Sequence, residues 1–96
     1  MKPRDFCRNW FNVTEEGEQA WGYRKKCVNL LAEVIGVKVD TVERWGSGID
    51  FPDMPPQYEN TLGYALTIKR IVEVASSGSE DIMRAVIEQL RSQGNL

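Results

Sequence analysis

Ninety-six residues give enough chain for one small domain, and an apolar fraction of 42% with three each of Trp, Tyr and Phe supplies one core. Twelve Lys and Arg against fourteen Asp and Glu leave a net charge of −2, so there is no overall basic field and any grip on phosphate must be local. Histidine is absent, which removes imidazole bases and the commonest zinc ligand.

The pattern predicts a small all-α bundle of about five helices. Pro3 suits a first helical turn, and Phe6, Cys7, Trp10 and Phe11 then form one apolar stripe. The segment Pro3 to Phe11 is expected to be a short amphipathic helix with Arg4, Asp5 and Arg8 facing water. Thr14 can cap a second helix, with Glu15, Glu16 and Glu18 near its positive end. Gly17 and Gly22 weaken that segment, so a loop followed by a helix from near Ala20 is the other reading. From Trp21 onward, Trp21, Cys27, Val28, Leu31, Val34 and Ile35 trace a helical face up to Gly36. Cys7 and Cys27 have no metal-ligand spacing, and with no leader visible both thiols are expected free and buried in a reducing cytoplasm. A disulfide between them is possible but nothing in the pattern requests it. No apolar run is long enough to cross a bilayer.

The most informative stretch is Leu31 to Trp45. Ala32 is small where two helices cross closely. Gly36 ends the first helix at a position that commonly needs positive φ. Leu31, Ile35, Val37, Val42 and Trp45 fall on the inward faces of both helices. Gly46-Ser47-Gly48 stops the second helix, and the prolines of Ile49 to Pro56 impose an extended linker whose Ile49, Phe51 and Met54 tuck inward. Pro55 or Pro56 opens a longer helix with a face of Tyr58, Leu62, Ala65, Leu66, Ile68 and Val72. In it, Gly63 either admits another helix or is merely tolerated. Ser76 to Ser79 breaks the chain. A last amphipathic helix follows, capped by Ser79 and carrying Ile82, Met83, Val86, Ile87 and Leu90. Residues 1–75 are therefore expected to form the main domain, and 76–96 a C-terminal element for dimerisation or for completing the core.

Leu31-Ala32-Glu33, Gly36-Val37, Thr41-Val42 and Arg44-Trp45 resemble the helix-turn-helix of lambda-repressor-like (Cro/C1, XRE-type) DNA-binding domains. The resemblance covers about residues 28–48. It implies that the second helix enters the major groove of double-stranded DNA and presents its first turns to base edges. Carried over by position, Lys38, Val39, Asp40, Thr41, Glu43, Arg44 and Ser47 would face the DNA. Thr41 and Arg44 would reach bases or phosphates, Val39 a thymine methyl, and Arg24, Lys25 and Ser47 would hold the backbone. Family members usually begin this helix with Ser, Arg, Gln or Thr, whereas this chain has Lys38-Val39-Asp40. The local basic patch would be Arg24-Lys25-Lys26, just ahead of the first motif helix, joined by Lys38 and Arg44.

The resulting expectation is a repressor-like transcriptional regulator acting as a homodimer on a two-fold operator, because one such motif reads only a few base pairs. The alternative is a module for protein contact, such as an accessory subunit of a nucleic-acid machine. The acidic balance, Asp40, Glu43 and the aromatic N-terminal helix favour that reading. An enzyme is not expected. The acidic clusters Glu15/Glu16/Glu18 and Asp50/Asp53 sit where caps and loops carry acids, and no nucleophile motif, phosphate loop, metal or cofactor site accompanies them.

Overall fold

The computed structural model describes residues 1–76 and, beyond them, Arg84, Ile87 and Glu88. The described residues are helical, with five helices in chain order: α1 (Pro3–Phe11), α2 (Glu15–Glu18), α3 (Tyr23–Ile35), α4 (Val39–Glu43) and α5 (Tyr58–Ser76). The chain divides into a compact unit, Met1–Leu66, and a second one from Thr67 onward. The break expected at Ser76 to Ser79 and the helix expected over Ile82 to Leu90 lie outside the described residues, apart from Ser76, which ends α5, and Arg84, Ile87 and Glu88.

In α1, Pro3 occupies the first turn and Asn12 closes the helix in a left-handed conformation, its N–H donating to the Arg8 carbonyl. Phe6 and Cys7 are fully buried, and Trp10 and Phe11 pack at the margin of the core. Helix α1 brings buried Pro3, Phe6 and Cys7, whereas α2 is a four-residue turn. Thr14 caps α2 as expected, its hydroxyl accepting from the Gly17 N–H at 3.3 Å. The surprise is Glu18, which is buried and held by Arg4 (Nε to Oε2, 3.0 Å), with Arg8 at 3.9 Å. Arg4 also reaches Asp50 at 3.2 Å. Arg4 and Arg8 are therefore not simply solvated. One turn apart on α1, they turn toward a carboxylate whose burial requires a partner. The two carboxylates, with the hydrogen bond to Glu18 largest, hold the Arg4 guanidinium well above its ordinary pKa.

The expected helical face from Trp21 needs correction. Gly22 adopts φ +84, so α3 begins only at Tyr23, and Trp21 projects from the preceding turn fully exposed. The basic triplet accordingly lies inside the first turn of α3, not ahead of it. Further on, Val28, Leu31 and Ala32 are buried and Val34 and Ile35 half-buried. Cys7 and Cys27 meet between α1 and α3 as free, buried thiols. Hydrogen bonding with Cys27, then burial, pushes the Cys7 thiol up, while the same contact lowers Cys27. Burial likewise raises the Tyr23 hydroxyl, which also donates to Cys27.

Within α5, Leu62 and Leu66 are buried and Tyr58 and Ala65 half-buried, while Ile68 and Val72 are exposed, so the continuous inward face expected along this helix stops at Leu66. Among the described residues nothing lies within 4 Å of the position a Cβ would take on Gly63. Among the described residues no helix is long and apolar enough to cross a membrane.

Candidate nucleic-acid interface

The segment from Tyr23 to Gly48 is a helix, a tight turn and a short helix, with α3 and α4 packed together. Gly36 ends α3 at φ +83, and the N–H groups of Gly36 and Val37 both donate to the Ala32 carbonyl, at 2.9 and 3.0 Å. That double bond to one carbonyl turns the chain sharply, so α4 begins at Val39 after only three connecting residues. A residue with a Cβ is disfavoured in this left-handed conformation by about 1–2 kcal/mol.

Two anchors set the orientation of α4. Val42 is fully buried, and Trp45, just past the helix, is buried with its ring 5.9 Å from that of Tyr58. Burial of each such side chain stabilises by roughly 1.5–3 kcal/mol. The chain then folds back: the Asp53 N–H donates to the Trp45 carbonyl at 3.0 Å, and Pro52 lies against Gly46. As expected, Phe51 and Met54 are buried, with Ile49 half-buried. Phe51 has φ +47, a conformation a bulky residue adopts only when its surroundings compensate, and its complete burial does so.

Of the residues placed at the interface by the sequence, Lys38, Val39, Asp40, Glu43, Arg44 and Ser47 are exposed and Thr41 is half-buried. Val39 is 37% exposed, an apolar side chain left on the outer side of α4. All of this set but Thr41 are therefore exposed along α4 and the residues that flank it. Lys25 is exposed in the first turn of α3.

Arg24 is used differently. Its guanidinium donates to the carbonyls of Gly48 and, at 3.3 Å, Glu43, and lies 5.0 Å from the centre of the Phe51 ring. It ties the start of α3 to the end of α4 and the following loop. Lys26 lies 4.6 Å over the Phe11 ring, on the α1 side of α3. The triplet thus splits three ways: Lys26 is exposed but lies over Phe11, and Lys25, Lys38 and Arg44 are the other exposed members of the proposed basic patch. None of the three is in an ion pair among the described residues. They are offset locally by Asp40 and Glu43.

A second surface lies between α1 and α3, where Trp10, Phe11, Lys26, Leu30 and Val34 line an open groove of about 480 Å³ with Glu33 at its edge. Among the described residues, no group of three His, Cys, Asp or Glu side chains is placed to hold a metal.

No family model, no curated protein and no solved structure matches the chain.

Proposed function

We propose that the chain is a DNA-binding transcriptional regulator of lambda-repressor-like type, which docks α4 in the major groove and acts in the cytoplasm as a homodimer on a two-fold operator. One observation carries the reading: α4 is two-sided. Val42 and Trp45 lock its inner side, while Lys38, Val39, Asp40, Glu43 and Arg44 stand outward after a turn too short to let it swing. Arg44 and Thr41 contact bases or phosphates. Val39 meets a thymine methyl, and Asp40 or Glu43 accepts from a cytosine amino group. Lys25, Lys38 and Ser47 hold the phosphate backbone, and Arg24 serves by fixing α3 to the loop that carries Ser47.

Duplex DNA from upstream of the protein's own gene, compared with an unrelated duplex at about 50 and about 200 mM salt, tests the reading in a mobility-shift assay. The expected result is a preference for the upstream duplex that survives the higher salt. Equal, salt-steep binding to both would reduce the interaction to phosphate attraction. No shift at the lower salt overturns DNA binding.

That last outcome favours a second reading, a module for protein contact. The acidic pair Asp40 and Glu43 on the outer side of α4 and the aromatic groove beside Trp10 and Phe11 support it.

A further inference from the structure

The start of α1, the loop after α4 and the first turn of α5 enclose a cleft of about 290 Å³, wholly within the unit Met1–Leu66. Pro3, Phe51 and Met54, all buried, form its apolar floor. Lys2, Asp50 and Glu59 stand at its rim. A small cavity with an apolar floor and a few converging charged groups is the usual form of a small-molecule site, and this volume suits a ligand of about ten non-hydrogen atoms.

The protein uses the charged groups of the rim only in part. Arg4 donates to Asp50 Oδ1 at 3.2 Å, and Asp50 Oδ2 accepts no hydrogen bond among the described residues. Lys2 Nζ lies 3.6 Å from Glu59 Oε2, an ion pair too long for a hydrogen bond, so its N–H donors are uncommitted. The Met1 ammonium lies 3.8 Å from Glu59 Oε1. Lys2, Arg4 and the Met1 ammonium against Asp50 and Glu59 make the surroundings close to neutral, with a spare donor and a spare acceptor at one cleft. A ligand with a single charge leaves one of these two without a partner. A ligand with both charges satisfies both and brings no net charge to the site.

We propose that this cleft binds a small zwitterion with an aliphatic body, an α-amino acid of about the size of leucine. Its carboxylate accepts from Lys2 Nζ, its ammonium donates to Asp50 Oδ2, and its side chain covers Pro3, Phe51 and Met54. Glu59 steadies Lys2 at the rim. The site is separate from the outer side of α4 and does not rest on DNA binding. Occupancy is still felt where α4 ends, because Pro52 lies against Gly46 and the Asp53 N–H bonds the Trp45 carbonyl. A ligand of so few atoms at an exposed rim binds with a dissociation constant on the order of a millimolar.

Titration of the isotope-labelled full chain with L-leucine up to about 20 mM, followed by amide NMR shifts, is the test. The expected result is a saturable shift at the amides of Asp50, Phe51, Asp53 and Met54 that extends to Gly46. Isoamylamine, which lacks the carboxylate, and isocaproate, which lacks the ammonium, should each bind roughly tenfold more weakly. Glycine, with no side chain to cover the floor, should not saturate the site in the same range. Lys2→Gln and Asp50→Asn change side chains that are 75% and 66% exposed, so the fold should be undisturbed, and each should weaken leucine binding roughly fivefold. The two variants are independent, and one that keeps its native spectrum suffices. The proposal is overturned by the absence of a saturable shift, by shifts confined to other residues, by a single-charge analogue that binds as well as leucine, or by a folded variant with the parent's affinity.

Discussion

Gly46→Ala probes the loop that fixes the exit from α4. Gly46 has φ +111, and an added Cβ would lie 2.7 Å from Cδ and 2.9 Å from Cγ of Pro52. The backbone conformation alone disfavours a residue with a Cβ by about 1–2 kcal/mol. The contact adds to this because a proline ring cannot rotate aside. Phe51 before it is fully buried, and Asp53 after it is bonded to the Trp45 carbonyl. Relief therefore requires a backbone shift, a further cost of about 1–3 kcal/mol. Against this, alanine removes unfolded-state freedom, a gain of about 0.4–1 kcal/mol. The net expectation is a loss of about 2–4 kcal/mol, or a fall in Tm of about 10–25 °C for a chain of this size. Thermal and urea unfolding followed by circular dichroism measures it. Gly48→Ala is the control, since Gly48 has φ +82 with nothing within 4 Å of its added Cβ, and should cost only about 1 kcal/mol or less. In a double-mutant cycle Pro52→Ala should recover the difference between the two glycines. Equal losses in Gly46→Ala and Gly48→Ala would refute the argument that Pro52 is rigidly seated against Gly46.

Ala32→Leu should overpack the buried side of α3, at a cost of about 1–3 kcal/mol, seen as a lower urea midpoint with an unchanged native spectrum. Cys7 provides a pH signature. Its folded-state pKa is raised while that of Cys27 is lowered, so the buried pair keeps one proton that the unfolded chain releases, and stability falls as pH rises past about 8.5. Unfolding at pH 7 and 9.5 should show that loss, and Cys7→Ala should flatten it despite a lower starting stability. Arg44→Ala, at an exposed position, should leave Tm nearly unchanged while weakening binding to the preferred duplex by about 1–3 kcal/mol if the side chain reads a base. An equal loss on every duplex would assign it to phosphate, and no loss would remove it from the interface.

Much of the fold is legible in the residues because the signals there are local. Pro3 and the Phe6–Cys7 stripe mark α1, Thr14 marks the cap of α2, and Ala32, Gly36, Val42 and Trp45 mark the packing of α3 and α4. What escapes the sequence depends on partners distant along the chain. Trp21 matches the helical period of α3, but the left-handed Gly22 uncouples it from that helix and leaves it in solvent. Glu18 looks like one of three acids at a helix start. Its burial is decided by Arg4 and Arg8, whose spacing on α1 is the one sequence signal for it. Arg24 reads as a phosphate contact from charge alone, yet its donors are taken by two carbonyls contributed from α4 and the next loop. Along α5 the apolar period runs on unbroken from Leu62 to Val72, and periodicity cannot tell a covered face from an open one.

These particulars bear on how a chain of net charge −2 would hold DNA at all. With Arg24 committed to Glu43 and Gly48 and exposed Lys26 lying over Phe11, Lys25, Lys38 and Arg44 are the other exposed cations of the patch, with Asp40 and Glu43 also exposed. Three phosphate contacts per protomer correspond to a logarithmic salt dependence of about −2.7, and six in a homodimer to about −5.4, against about −9 for ten contacts. In the proposed reading, base contacts along α4 and the pairing of two protomers must therefore contribute more than in a basic domain.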